Sequence, residues 1–484
     1  MPPARAVARA VFVLVFAVSA ALAALTLTWA IATMAVRPPD GAEGEIAFEA
    51  GRIALGRPLY VDPLVGALEY GMPPSRYYVL YPPLWPALLS RLPSALTSQG
   101  VLGPRALATA FWFGALAFVA ARAEPACRKV AALVAVFVGS TWVLALFATS
   151  GRPDALAVLL AAIALERSVR KGRVDALAGA LFALSSWTKP NVLGLAAGAF
   201  VGQGWVSRRG LLAPASGGLA VSVAIACILH VTSGGAWITH LVLSTGQPLD
   251  LGLWLGQMGE RLPFFAAPIA AAGALAWSRR ADDRAKIAFA AVVATACWCL
   301  FSLAKIGSAS NYWLEPSIAV LVAFARFPTP ERVRQSVVVA AACAAQLAWN
   351  GVASAKASLR GIPDAKARAA VLATAREACG AGPDGVIVAD EPGLELVLDG
   401  RMIQTPFQTT HLVRRGKFPL KVWLEDLARP EVRCLVVQSD VIERSVAEES
   451  VPYDRFPPDV RAELKQRFAL IKSEAGLYIY RRKP

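Results

Sequence analysis

Four short stretches of this sequence combine carboxylates, cations and aromatics at the edges of long apolar runs. In Thr149-Ser150-Gly151-Arg152-Pro153-Asp154, an acid follows a guanidinium by two residues. Pro153 suits the first turn of a helix, and the helix dipole favours Asp154 beside it. The unit either caps a helix next to an interfacial arginine or faces a charged substrate. Trp187-Thr188-Lys189-Pro190-Asn191 repeats the pattern. Lys189 either snorkels to lipid headgroups or holds an anion. Lys305 precedes Ser310-Asn311-Tyr312-Trp313-Leu314-Glu315. Asn311 and Glu315 are four apart and share a helix face, and Glu315 either pairs with Lys305 or acts on a substrate.

The remaining stretch, about 37–103, carries Asp40, Glu43, Glu45, Glu49, Tyr60, Asp62, Glu69, Tyr77, Tyr78 and Tyr81. Glu43-Gly44-Glu45 opens an amphipathic run ending at Gly56, where acids also serve as ordinary helix caps. One or two carboxylates, a few cations and aromatics suit one chemistry well. A sugar on a polyprenyl phosphate has an anionic leaving group that needs no proton. Transfer then requires one carboxylate to deprotonate the acceptor hydroxyl and cations to stabilise the departing phosphate. Glycoside hydrolysis differs, because a second carboxyl must protonate the leaving oxygen.

The elements that must hold these residues are membrane helices. The chain has 484 residues, 56% hydrophobic and only 17% charged, with a mean hydropathy of +0.50. Soluble chains are about one quarter charged; this composition excludes a soluble enzyme, a disordered chain and a disulfide scaffold. Ala10–Val36 is uncharged and follows Arg5 and Arg9. It is too long for the apolar core of a signal peptide and reads as an uncleaved first span. Further spans are expected near 104–121, 130–149, 153–166, 174–188, 190–206, 211–231, 262–278, 286–304, 311–325 and 335–351, making about eleven in a mainly α bundle.

Charge fixes the expected orientation. The net +15 lies in tufts between apolar runs, as membrane proteins keep it, and does not argue for nucleic acid. Arg5, Arg9, Arg122, Arg128, Lys129, Arg167, Arg170, Lys171, Arg173, Arg208, Arg209, Arg279, Arg280, Arg284, Lys286, Arg326, Arg332 and Arg334 fall in inner loops. Short outer loops hold only Arg152, Lys189, Arg261 and Lys305. The N-terminus is then cytoplasmic. This holds if 82–97, broken by Pro82, Pro83, Pro86 and Pro93, lies at the outer interface without crossing. Residues 1–351 form the membrane module. Residues 352–484 have soluble composition, with β-rich runs at Gly385–Asp390, Cys434–Asp440 and Leu477–Arg481 and a helical stretch at Asp459–Leu470, as in a small outer α/β domain.

The seven cysteines lack metal-site spacing. Cys227, Cys297, Cys299 and Cys343 read as packing residues, whereas Cys379 and Cys434 fall where a disulfide could form. His230, His240 and His411 are too scattered for a metal site. Trp237, Trp254 and Trp277 fit an interfacial belt.

In order and in their shared outer location, these motifs resemble the GT-C superfamily of integral-membrane glycosyltransferases. That superfamily includes the protein mannosyltransferases and the aminoarabinose transferases of lipid A. The nearest likeness is to bacterial members related to lipopolysaccharide-core galacturonosyltransferases. The matching residues are Glu43-Gly44 with Arg52, Gly56, Pro58, Leu59 and Tyr60; Tyr81-Pro82-Pro83-Leu84; Arg152-Pro153-Asp154; Lys189-Pro190; and Asn311-Tyr312 with Glu315. Asp390-Glu391-Pro392, Leu398-Asp399-Gly400-Arg401 and Thr405-Pro406-Phe407 extend the likeness to the C-terminal part.

The resemblance implies a base in the first outer loop, where the family often has an Asp-Glu pair. Here Ala42 stands in the first position and leaves Glu43, with Asp40 and Glu45 as rivals. It implies a second acid at Asp154, and phosphate or pyrophosphate held by Arg152, Lys189 and Lys305. Tyr81, Asn311, Tyr312 and Glu315 are expected to line the substrate groove. Some members place a divalent metal, Mg or Mn, between the acids and others do not. The expectation is an inverting hexosyl- or pentosyltransferase of the inner (plasma) membrane. It would move sugar from a polyprenyl-phosphate donor to a cell-envelope glycolipid, polysaccharide or protein on the outer, periplasmic face. A transporter or lipid-linked-sugar flippase is the rival class. Such proteins often show internal repeats and broken helices at mid-membrane, and no repeat is seen here.

Overall fold

The structure is a computed structural model that describes residues 3–34, 37–92, 101–243, 247–330, 337–379, 385–438 and 455–484. The start of the expected span 335–351, the end of segment 82–97, the end of the run Cys434–Asp440 and the side chain of Cys343 lie outside the described residues. The chain is mainly helical, with one small sheet. It divides into two compact units. One comprises Met1–Ile31, Ala106–Ala226 and Leu249–Arg360; the other comprises Ala32–Arg105, Cys227–Pro248 and Gly361–Pro484.

Among the described residues, four helices have the length and apolarity to cross a membrane: Val13–Thr33, Leu102–Ala121, Arg209–Ser233 and Asp283–Ser302. The expected span 130–149 is not straight. It breaks between Pro125–Gly139 and Trp142–Ala148 with a bend of 73°, and counts as a fifth span only if that pair is taken together. The helices Ala176–Thr188, Gly194–Val206 and Leu314–Arg326 have 13 residues each. At 1.5 Å per residue they run about 20 Å, short of the roughly 30 Å of hydrocarbon. Within segment 82–97 the described helix is Leu84–Leu89, six residues.

The first unit is a helix bundle whose core is built largely from alanine, with Trp112, Leu165, Leu195, Trp313 and Leu321 among its buried larger residues. Small residues let backbones approach where lipid supplies no hydrophobic drive between helices. Gly194, Gly198 and Gly202 form such a seam against helix Asp283–Ser302. A Cβ on each would press on the backbone at Thr295, Ala291 and Ile287 respectively. The partners step back four residues as the glycines step forward four, so the two helices run antiparallel in tight register.

Charge sits at one end of this bundle. Glu166, near the C-terminus of helix Asp154–Lys171, pairs with Arg326 and also with Arg122 at 3.1 Å and Arg170 at 3.5 Å. Glu124 pairs with Arg326 at 3.1 Å and Arg284 at 3.8 Å. Two acids thus gather four cations, Arg122, Arg170, Arg284 and Arg326. Asp154 starts the helix whose far end holds Glu166, so the candidate chemistry and the cation cluster occupy opposite ends of it.

The second unit contains helix Gly41–Ala54 and a four-stranded mixed sheet of order β1-β2-β4-β3. The strands are β1 Val386–Ala389, β2 Val432–Val437, β3 Phe468–Glu474 and β4 Leu477–Arg482. β1 and β2 are parallel; β2 with β4 and β3 with β4 are antiparallel. Helix Pro458–Arg467 ends at β3, so the stretch read as helical to Leu470 finishes as strand. Trp423, Leu435, Phe456 and Tyr480 form one core of this unit. A disulfide joins Cys379 to Cys434 with Cα atoms 5.7 Å apart, tying the end of helix Val337–Cys379 to β2.

His240 pins the loop after helix Gly41–Ala54. Its Nδ1 accepts from the Val79 N–H at 3.0 Å, and its Nε2 lies 2.7 Å from the Val61 carbonyl. The ring is fully buried and its pKa is lowered to about 4, chiefly by burial. The neutral tautomer with the proton on Nε2 satisfies both bonds.

Candidate active site

The first unit brings together three of the sequence stretches. Asp154 opens helix Asp154–Lys171 directly after Pro153 and is buried. Its Oδ1 takes an ion pair from Lys189 and a hydrogen bond from Asn311 Nδ2 at 2.9 Å. Its Oδ2 is buried and has no hydrogen bond among the described residues. Both Asp154 and Lys189 are about 1% exposed, and Lys189 ends helix Ala176–Thr188 as its C-cap.

Neighbouring polar groups complete this cluster. Asn191 donates to the Tyr312 hydroxyl at 2.9 Å and receives the Trp298 indole N–H on its carbonyl at 2.8 Å. Glu315 accepts the Leu195 N–H at 2.9 Å and so caps the start of helix Gly194–Val206. Arg152 is half-buried and its guanidinium lies over Phe147, 5.1 Å from the ring centre. Lys305 is half-buried, forms an isolated antiparallel bridge with Leu249 and has no carboxylate partner among the described residues. Burial holds its pKa below the usual lysine value.

The second unit holds the first-loop acids. Asp40 and Glu43 form a capping box: Asp40 Oδ1 accepts the Glu43 N–H at 2.9 Å, and Glu43 Oε2 accepts the Asp40 N–H at 3.2 Å. Arg105 also grips Glu43, at 2.8 Å through Nε and 2.6 Å through Nη2. Arg37 adds a contact at 3.2 Å. The other donors of Arg105 reach the carbonyls of Met34, Arg37 and Pro38. Glu43 is therefore a deeply buried, orienting carboxylate with both oxygens engaged.

Two residues on, Glu45 Oε1 accepts from Gln408 at 3.2 Å. Glu49, four residues further along the same face, is 1% exposed, and its Oε2 has no hydrogen bond among the described residues. Burial, then the charge of Glu45, raises its pKa well above the usual carboxylate range. Sequence reasoning named Glu49 only among the loop's acids; its four-residue spacing from Glu45 was the available signal. Tyr81 is half-buried at the bend before helix Leu84–Leu89.

Chemically, the first cluster offers a buried carboxylate with one oxygen open and a paired ammonium; no contact among the described residues joins Lys305 to it. The second offers one clamped carboxylate and one poised to take a proton. Among the described residues no three of His, Cys, Asp and Glu converge on one point. Asp154 already receives an ammonium and an amide on one oxygen, which does not match the oxygen-rich shell of a divalent cation.

No protein-family model matches the chain, and no curated protein sequence matches it. Its fold is similar to that of ArnT from Cupriavidus metallidurans. The crystal structure of ArnT bound to undecaprenyl phosphate is 14% identical, with a TM-score of 0.52 over 95% of this chain and 97% of that one. The apo structure is 13% identical, with a TM-score of 0.55 over 95% and 96%. The likeness covers nearly the whole of both chains and is one of fold.

Proposed function

We propose that this protein is a multi-pass glycosyltransferase of the inner membrane, transferring a sugar from a polyprenyl-phosphate donor to a cell-envelope acceptor. The observation that carries this reading is the near full-length fold likeness to ArnT, one structure of which holds undecaprenyl phosphate. The buried carboxylates with open oxygens support it, because transfer from a lipid phosphate needs one base and no general acid. The disulfide in the second unit supports an oxidising, periplasmic setting for the C-terminal region.

In this reaction the acceptor hydroxyl gives its proton to a carboxylate of the first-loop helix. The acceptor oxygen forms the new bond to the sugar's anomeric carbon, and the bond to the phosphate oxygen breaks with inversion. Glu43 is the base that the family resemblance selects, with Asp40 and Glu45 beside it. Asp154 orients the acceptor through Oδ2. Arg152, Lys189 and Lys305 take up the charge of the departing lipid phosphate; Lys305 has most to gain, having no carboxylate of its own. Asn311, Tyr312 and Glu315 support the substrate site in the first unit, and Tyr81 is a groove residue on the second.

A second reading assigns proton uptake to Glu49, favoured by its open oxygen and raised pKa. Paired measurements separate the two. Purified Glu43→Gln and Glu49→Gln variants are assayed for release of polyprenyl phosphate from envelope lipid extract. Loss of turnover in Glu43→Gln alone assigns Glu43, and loss in Glu49→Gln alone assigns Glu49. Full turnover in both, and in Asp154→Asn, would rule out this chemistry and favour a transporter.

A further inference from the structure

The sheet of the second unit carries a basic surface cavity of about 480 Å³, lined by Glu377, Ala378, Cys379, Arg433, Arg481 and Arg482. Three arginines and one glutamate are among its lining residues. None of the three arginines lies within ion-pair distance of an acid among the described residues. Arg482 is spent on backbone, donating to the carbonyls of Val432 at 2.8 Å and Leu427 at 2.9 Å. Arg481 donates one N–H to the Ala378 carbonyl and keeps the rest. Arg433 makes no hydrogen bond among the described residues.

The surroundings work against an accidental arrangement. Cys434 pairs with Arg481 across β2 and β4, and the β1–β2 register shifts across Arg433, between Val432 and Cys434. The end of helix Val337–Cys379 also points its negative pole here, and the Arg481 bond to Ala378 offsets only part of the positive charge. Arg433 is held in place: its side chain lies over Gly385, where a Cβ would come within 2.7 Å of Cδ and 2.9 Å of Nε. The disulfide fixes the helix wall of the cavity to β2.

We propose that this cavity is an anion-binding site for a phosphate-bearing saccharide or lipid headgroup. Guanidinium forks match phosphate oxygens in pairs, and the volume exceeds what a bare phosphate fills. The site is independent of the transfer chemistry above, so its failure leaves that reading untouched.

The test uses full-length protein in nanodiscs, with glucose 1-phosphate as probe and glucose as the uncharged control, read by calorimetry. Saturable binding of the phosphate sugar alone is expected. Arg433→Ala with Arg481→Ala should weaken it about tenfold or more. Arg433→Lys with Arg481→Lys keeps the charge but loses the forks and should weaken it by an intermediate amount, and Gly385→Ala should weaken it without changing any charge. Circular dichroism verifies that each variant is folded. Equal affinity in the double alanine variant, equal binding of glucose, or no binding would overturn the proposal. Arg-dependent competition by phosphatidylglycerol in the disc identifies a lipid phosphate as the source; its absence identifies a soluble saccharide. Either result upholds the site.

Discussion

Arg105 holds both carboxylate oxygens of Glu43 from 62 positions along the chain, at 2.8 and 2.6 Å, with each residue about 1% exposed. Removing one partner of a buried pair strands the other charge, at about 3–5 kcal/mol. Arg105→Ala is expected to destabilise the protein by that order. Glu43→Gln should do so less, because three carbonyls still receive Arg105. Thermal unfolding of the two variants measures the difference, and equal shifts would contradict it.

Asp154 and Lys189 allow a cleaner separation of stability from catalysis. Lys189→Ala leaves a buried carboxylate without its ammonium and should lower stability by about 3–5 kcal/mol. Adding Asp154→Asn should recover most of that, since a neutral amide replaces the stranded charge. Turnover should stay lost in the double variant. A double-mutant cycle on unfolding midpoints, run beside the transfer assay, checks both halves.

Glu315 supports a helix start, and its substitution should report as packing and positioning. Glu315→Ala removes the acceptor for the Leu195 N–H and is expected to lower stability by about 1–2 kcal/mol, in the range of a lost cap. Glu315→Gln keeps an acceptor oxygen and should lose about half as much. A drop in turnover without any fall in stability would instead place Glu315 on the substrate.

His240 predicts an acid-sensitive loop. Its folded pKa, near 4, lies below the ordinary 6.5, so the unfolded chain binds more protons between those values. The stabilisation is complete above pH 6.5 and is lost as pH falls towards 4, to a limit of about 3 kcal/mol. Protonating Nδ1 sets a donor against the Val79 N–H. Unfolding midpoints of wild type should therefore fall more steeply from pH 7 to 4.5 than those of His240→Gln; parallel curves would refute the assignment.

The sequence revealed positions better than partners. The stretches at 149–154, 187–191 and 305–315 stood out because polar residues interrupt apolar runs, and the first unit brings Asp154, Lys189, Asn311, Tyr312 and Glu315 into one region. What each touches was not legible. Glu315 bonds a backbone amide 120 positions away, and backbone donors leave no trace in residue type. Arg105 read only as the edge of a span, and its tie to Glu43 depends on tertiary folding. β3 was hidden because Phe468-Ala469-Leu470 continues the apolar pattern of the preceding helix without a break. The bend at Ser140-Thr141 did leave a signal, the Gly139-Ser140 pair at which helices kink, but the surrounding apolar run masked it. The Ser140 and Thr141 side chains bond back to the Phe137 carbonyl, at 2.7 and 3.0 Å.

The glycine seam between helices Gly194–Val206 and Asp283–Ser302 has a mechanical consequence. With backbone meeting backbone at Gly194, Gly198 and Gly202, sliding by a single residue drives a side chain into the neighbouring main chain. A full four-residue step forfeits one of the three contacts. The pair behaves as a welded strut, barred from shear and carrying on its leading end the amide that Glu315 grips. Any opening and closing of this bundle must therefore hinge around the strut and cannot run along it.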